Sequence, residues 1–429
     1  MSVDARPLRF EKGRGKKKRG GTRVNAKSRI VVVGGSFGGL TAAYELRRRI
    51  DSDSATITVI SKDERFTFVP SLTWVAMGTR TLTQISFDLD VPLSKKQIIF
   101  AHQSVLAIDS DRKVVITAET EHPYDFLIVA TGHRSANEAV TGLGPFDGPG
   151  HSPMSSAEAE ELNEAIERLR QKPGPIVVGA APGASCIGPA YELVFELDHM
   201  LRREKLRHMV PMSFVTPEPF LGHMGMGGMG KIRQLLEGAF EEREIIYRTS
   251  AAITKITDQD VEIEGTGSVE SGLSIVIPPL GGIEAVAKSP GLANPKGFIP
   301  VDSHYRHTSA EGVYAVGVAA AFAPVGETPV PVNFPKTGHM TEQMAHIAAA
   351  DIAARLAGKE SSSAELSARC ILDMGDTAVY LSVSPVRPPR NEIPTISQGR
   401  RWLLAKHAFE RTYLWHAKMG RRMPTTLGW

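Results

Sequence analysis

Short runs of β-branched and aliphatic residues, each closing on small residues, recur along the chain and alternate with stretches of helical period. Arg29–Val33 (RIVVV) reads as a buried parallel strand, Leu40–Arg49 as a helix with one apolar face, and Thr56–Ser61 (TITVIS) as a second strand. Tyr124–Gly132 (YDFLIVATG) and Gly312–Gly317 (GVYAVG) are two more strands, and Pro175–Gly179 (PIVVG) opens a further unit followed by Met212–Glu218 (MSFVTPE). A helix is predicted from Lys336-Thr337-Gly338 through Ala357, and another from Trp402 to Met419. The pattern predicts an α/β fold with two Rossmann-like dinucleotide-binding domains, arisen by duplication, and a C-terminal amphipathic helical region. Residues 29–145 with 295–358 are assigned to the first domain, 146–294 to the second, 359–429 to the C-terminal region and 1–28 to a basic arm.

The turn between the first strand and helix reads Gly34-Gly35-Ser36-Phe37-Gly38-Gly39. Gly34 is the tight-turn position, Gly39 allows close helix–strand packing, and Ser36 stands where the backbone must approach a pyrophosphate. The helix that follows offers free N–H groups and the positive end of its dipole to that phosphate. At the end of the second strand, where an acidic residue usually holds ribose hydroxyls, stands Ser61. The corresponding turn of the second unit, Gly179-Ala180-Ala181-Pro182-Gly183, is degenerate, and no acidic residue closes a recognisable next strand before Glu218. The first turn and Ser61 leave the identity of its nucleotide open. Tyr124–Gly132 and Gly312–Gly317 resemble the signatures of two-dinucleotide-domain flavoproteins, and that resemblance implies FAD in the first domain, while the degenerate second turn makes a nicotinamide nucleotide doubtful.

Composition narrows the class of protein. With 429 residues, 42% hydrophobic and 23% charged, the chain is long enough for two or three globular domains. No apolar run is long enough to span a bilayer, and no export signal is expected. The near-neutral total of +3 hides a charge of +9 over residues 1–29, +6 over 400–429 and −12 over the remainder. Basic ends suit an anionic lipid or nucleic acid. On a helical wheel Trp402, Leu404, Ala405, Ala408, Phe409, Tyr413, Trp415 and Met419 share one half, while Lys406, Glu410, Arg411 and Lys418 fall on the other. Such a helix is predicted to lie in a membrane interface with its aromatic half toward lipid.

Several motifs resemble those of the sulfide:quinone oxidoreductases, relatives of the flavoprotein subunit of flavocytochrome c sulfide dehydrogenase. They are FTFVPSLTWVAMG (Phe66–Gly78), GASCIGPAYE (Gly183–Glu192), FLGHMGMGG (Phe220–Gly228), VPVNFPKTGHMTEQM (Val330–Met344), RCILDMGD (Arg369–Asp376) and KHAFERTYLW (Lys406–Trp415). The resemblance runs from about residue 29 to 420 and includes the loop after Gly317, where Val318 stands instead of an aspartate. It implies Cys186 and Cys370 as a pair that carries the growing sulfur chain, with sulfide attacking a disulfide or trisulfide between them and electrons passing through FAD to quinone. It implies Glu192 as an acid–base group and His223 as a proton-handling group. For non-covalent FAD it adds Val105, Thr131, Gly132, Gly317 and Lys336 to the turn residues and Ser61, with Lys336 near the flavin ring. Phe409 and Tyr413 match the neighbourhood of its quinone pocket. No metal is implied. Where several members carry a third cysteine, this chain has Met154.

Cys186 is expected just before a helix, where the dipole favours thiolate, the form active in exchange with sulfur–sulfur bonds. The methionines Met224, Met226 and Met229 suit either an apolar path or core filling. The sequence reading is thus a peripheral membrane flavoenzyme on the cytoplasmic face, with sulfide and quinone as substrates, an anionic membrane surface as partner and a homo-oligomer as an open alternative. Its rivals are a type II NADH:quinone oxidoreductase, a flavin-binding redox scaffold without turnover, and a sulfide dehydrogenase serving a cytochrome.

Overall fold

The computed structural model describes residues 27–390 and 394–421; the basic arm, apart from its last residues, lies outside them. Two five-stranded parallel sheets organise the chain. The first runs in the order Val313–Ala315, Phe126–Val129, Ser28–Val33, Ala55–Ser61, Ile99–His102. The second runs Gly150–His151, Leu273–Ile277, Ile176–Ala180, Met212–Val215, Ile246–Arg248. Each is joined by a three-stranded antiparallel sheet, Val105–Asp109 through Glu121–Pro123 in one case and Ile253–Ile256 through Glu270 in the other. The repeat is a structural duplication. Central strands are covered on both faces, so they are apolar throughout rather than alternating: Val31, Val32 and Val33 are all buried, as are Val177 and Val178.

The helix Phe37–Arg49 begins three residues earlier than its apolar period suggested, directly on the glycine turn. It lies against Gly338–Leu356, whose Ala345, Ala348 and Ala349 are fully buried and permit close approach. Thr337 caps this second helix, its hydroxyl accepting the Met340 N–H at 3.4 Å. After it, Ala368–Asp373, Ala378–Val383 and Thr395–Gly399 form an antiparallel sheet, and Arg400–Lys418 forms the terminal helix.

The terminal helix corrects the wheel. Its buried residues are Lys406, Glu410, Tyr413, Leu414 and Ala417, so two charges assigned to the outer half face inward, and Tyr413 leaves the lipid-facing half for the core. Both charges find opposite partners: Lys406 Nζ lies 2.5 Å from Glu192 and Glu410 lies 3.0 Å from Arg80. A wheel counts polarity but not the partner waiting across the interface. What remains outward is a narrower stripe of Leu404 (70% exposed), Trp415 (49%) and Met419 (43%), with Ala408 between them and Arg411 and Lys418 beside it. Among the described residues, no helix is long and apolar enough to cross a membrane.

Candidate active site

The first turn is a cradle built from absent side chains. A Cβ on Gly34 (φ +114°) would stand 2.3 Å from the Ala130 carbonyl oxygen, and one on Gly39 would stand 1.8 Å from that of Gly34. Ser36 is the N-cap of the helix, yet its side chain caps nothing, and no acidic residue occupies the first turn. The N–H groups around Phe37 and Gly38 are left for an anion. Ser61 is buried beside the turn, its hydroxyl oxygen accepting the Asp63 N–H at 3.2 Å. Thr131 Oγ1 is buried without a partner, and Gly132 (φ +74°) faces open space. Val105 opens its strand half-buried.

Gly317 (φ +66°) starts the short turn Gly317–Ala319, onto which Lys336 reaches. Lys336 Nζ donates to the carbonyls of Val318 (3.0 Å) and Ala320 (2.7 Å) and lies 4.2 Å from the centre of the Phe298 ring. Burial pushes its pKa down to about 7. His133, which sequence reasoning passed over although it follows Thr131-Gly132 directly, is pushed down to about 4 by burial and by Lys336. An anion cradle of backbone N–H groups, an orphaned hydroxyl and a half-buried lysine held by two backbone carbonyls fit an FAD.

The second turn is built differently. Gly183 (φ +80°) donates its N–H to the Pro331 carbonyl at 2.6 Å and accepts from Asn333 Nδ2 at 2.7 Å, while the Asn333 N–H bonds Ala184 O at 3.0 Å. The chain's own Pro331–Asn333 segment thus takes up the backbone groups of this turn. The following helix, Gly188–Arg203, starts only after a further irregular stretch. Glu218, at the end of the next strand, is turned inward: its carboxylate accepts from Tyr191 OH (2.7 Å), Thr216 OH (2.8 Å) and Met224 N–H (2.7 Å). It anchors the Phe220–Met229 loop instead of a ribose.

Cys186 lies two residues before that helix and Cys370 lies on the strand Ala368–Asp373, which packs on it. The fold brings the two together across 184 residues, near enough for Cys186 to raise the pKa of Cys370. Both are free thiols. Burial, followed by the charge of Glu192, pushes Cys186 up to about 11, and the same two causes push Cys370 up to about 12, the opposite direction to the thiolate expected from the helix terminus.

Glu192 sits behind the pair. It accepts from Thr73 OH (3.3 Å), the Asp373 N–H (3.2 Å) and Lys406 Nζ (2.5 Å). Burial raises its pKa, against the pull of Lys406. Burial alone would lower Lys406, but the charges of Glu192 and Asp373, foremost among the acids around it, outweigh burial and hold the ammonium above its ordinary value. Trp74 closes the site, its indole N–H donating to Asp373 at 2.9 Å with Lys406 Nζ 4.9 Å from its ring centre. Thr73, Trp74, Asp373 and Lys406 were missed from sequence because each looks ordinary in its own element.

His223 is buried against Phe220, with ring centroids 5.3 Å apart, and its Nδ1 accepts the Gly225 N–H at 3.3 Å. Burial lowers its pKa, and it is not among the groups that shift the two thiols. Met224, Met226 and Met229 are buried in the main core. Met154 packs against the same core. Tyr413 is fully buried and packs against the rings of Phe37, Phe66, Phe68 and Phe409 at centroid distances of 5.0–6.0 Å, stacked on Phe66 and tilted or edge-on to the others, joining the first helix to the last. Burial raises Tyr413 well above its ordinary value, and burial pushes Glu342 beside it up to about 8.

Residues 28–350 match the family model of the pyridine nucleotide-disulphide oxidoreductases, the class that the duplicated sheets and the first turn define. A sulfide-quinone reductase of Aquifex aeolicus is 35% identical over 404 residues, 92% of each chain. The crystal structure of the sulfide:quinone oxidoreductase from that bacterium superposes with a TM-score of 0.89, covering 93% of each chain. The chain belongs to the sulfide:quinone reductase family. A type II NADH:quinone oxidoreductase of Staphylococcus aureus is a distant relative, 27% identical over 117 residues, or 27% of this chain and 29% of that one.

Proposed function

We propose that this protein oxidises sulfide and delivers the electrons through FAD to a quinone, with Cys186 and Cys370 as the sulfur relay. The observation that supports the relay most is the convergence of both cysteines, each half-buried, beside the buried Glu192. Bound FAD supplies a two-electron acceptor between sulfur and quinone. On this reading residues 29–145 with 295–358 hold it, through Gly34, Ser36, Phe37, Gly38, Gly39, Ser61, Val105, Thr131, Gly132, Gly317 and Lys336, and 146–294 is its degenerate partner.

The raised thiols suggest the order of events. Neutral thiols are poor nucleophiles, so the anionic partner is hydrosulfide, which attacks the oxidised, sulfur-bridged pair. A new S–S bond forms at one cysteine, the bridge breaks, and the other cysteine leaves as thiolate. Glu192 takes the proton from hydrosulfide, with Lys406 holding the carboxylate ready. His223 has the looser claim on a proton role, because it is bound up with its own loop. Phe409 and Tyr413 mark the quinone side through the aromatic cluster.

The outward stripe of Leu404, Trp415 and Met419 with its cations is read as the contact with an anionic membrane surface at the cytoplasmic face. Vesicles of phosphatidylglycerol should retain the protein, and Leu404→Glu/Trp415→Glu should release it.

Anaerobic sulfide added to the FAD-loaded protein should bleach the flavin band, and a short-chain quinone should restore it. Cys186→Ser and Cys370→Ser should each abolish the bleaching. Bleaching by NADH and not by sulfide would sink the proposal.

A further inference from the structure

Behind the cysteine pair, three acidic side chains, Glu192, Glu196 and Asp373, surround one ammonium, that of Lys406. Glu192 has its three donors, Lys406 among them. The Asp373 carboxylate accepts the Trp74 indole N–H at 2.9 Å and the Gly375 N–H at 2.8 Å. Glu196 follows Glu192 by one helical turn, is 6% exposed, and neither of its oxygens meets a hydrogen-bond donor. What it faces is the Asp373 carboxylate, itself an acceptor. Two ionised carboxylates cannot bond each other, and a bare carboxylate entombed without a donor is among the costliest arrangements in a protein.

We propose that Glu196 carries a proton and donates it to Asp373, and that this shared proton keeps Glu192 ionised as the base beside Cys186. One ammonium cannot hold three buried negative charges. Were Glu196 ionised as well, its repulsion would drive Glu192 to take up the proton and leave the sulfide without a base. The groups acting on Glu196 are Asp373 from the strand, Glu192 from its own helix and Lys406 from the terminal helix. Burial, followed by the first two, pushes it well above the usual carboxyl range, and Lys406 opposes them. Glu196 is thus a positioning residue, acting through Asp373 and Glu192.

The kinetic part of the test rests on the sulfide-oxidation reading; the spectroscopic part does not. Infrared spectra of the FAD-loaded full-length protein at pH 7, in H2O against D2O, should show a protonated-carboxyl C=O band that Glu196→Gln removes. Because an amide N–H donates to Asp373 as the acid O–H does, Glu196→Gln should leave the acid limb of sulfide-driven flavin reduction at its wild-type pH. A wild-type spectrum that loses no such band in Glu196→Gln overturns the proposal. So does an acid limb moved to lower pH, which is what removing a real negative charge beside Glu192 would do. If Glu196→Gln does not fold, Asp373→Asn decides: it replaces the ionised acceptor by an amide and should move the frequency of that band, and an unmoved spectrum overturns the assignment. A protein whose flavin ignores sulfide refutes the proposed function and leaves the infrared result standing by itself.

Discussion

Two glycine turns of common design stand at the heads of the two parallel sheets, and they have opposite fates. At the first, side chains are missing wherever backbone must approach backbone, the N-cap serine caps nothing, and a buried threonine hydroxyl has no partner. At the second, the same kinds of backbone groups are already bonded to Pro331 and Asn333, and the acid that follows is spent on Tyr191, Thr216 and Met224. A polar group with its hydrogen bonds made inside the protein has little to offer a ligand; one buried without them is waiting for one. Duplication supplied two frames, and internal satisfaction closed one of them. The stretch between the closed turn and its helix is where Cys186 stands.

The comparison can be broken in several places. The largest effect is expected at Gly39→Val, whose Cβ would stand within 1.8 Å of the Gly34 oxygen. It should cost on the order of 4 kcal/mol in stability and abolish FAD retention, as read by thermal denaturation and by the flavin content of the purified protein. Next is Lys336. Above about pH 7 the folded, flavin-free protein has given up a proton that the unfolded chain keeps to about 10.5, so its stability should rise with pH across that window. The slope is at most about 1.4 kcal/mol per pH unit, and Lys336→Met should flatten it in urea denaturation series.

Thr131→Val sharpens the contrast further. It removes an unpartnered hydroxyl, so the flavin-free protein should be no less stable, while FAD affinity by equilibrium titration should fall about tenfold. At the second turn Asn333→Ala frees the Gly183 oxygen and should cost about 1–2 kcal/mol, without letting NADH reduce the flavin. If NADH then reduces it, the second site is blocked only by that segment. The smallest effect is expected at Gly183→Ala. No atom lies within 3.4 Å of its Cβ position, so only the positive φ is strained, at about 1 kcal/mol with FAD content unchanged.

Local pattern made much of this legible. The strand Ser28–Val33 and its turn, the helix opening at Gly338 and the terminal helix stand within a few residues of where the hydrophobic period put them. Phe37–Arg49 was under-read at its start because its first turn is glycine and carries little apolar signal. The candidate site was half legible. Cys186, Cys370 and Glu192 came from motif resemblance, and their assembly was beyond any local reading.

What the sequence determined by itself was every feature that depends on near neighbours in the chain: strand and helix periods, glycines that only a tight turn needs, and the degeneracy of the second turn. Only the tertiary structure decided the charges. Lys406 and Glu410 looked like solvent-facing residues until Glu192 and Arg80 were found across the interface. The dipole argument for Cys186 left out the same kind of information: burial and a carboxylate six residues on, which push the thiol up. Desolvation and Coulomb energy depend on distance through space and on exclusion of water, and neither quantity is written in the order of residues.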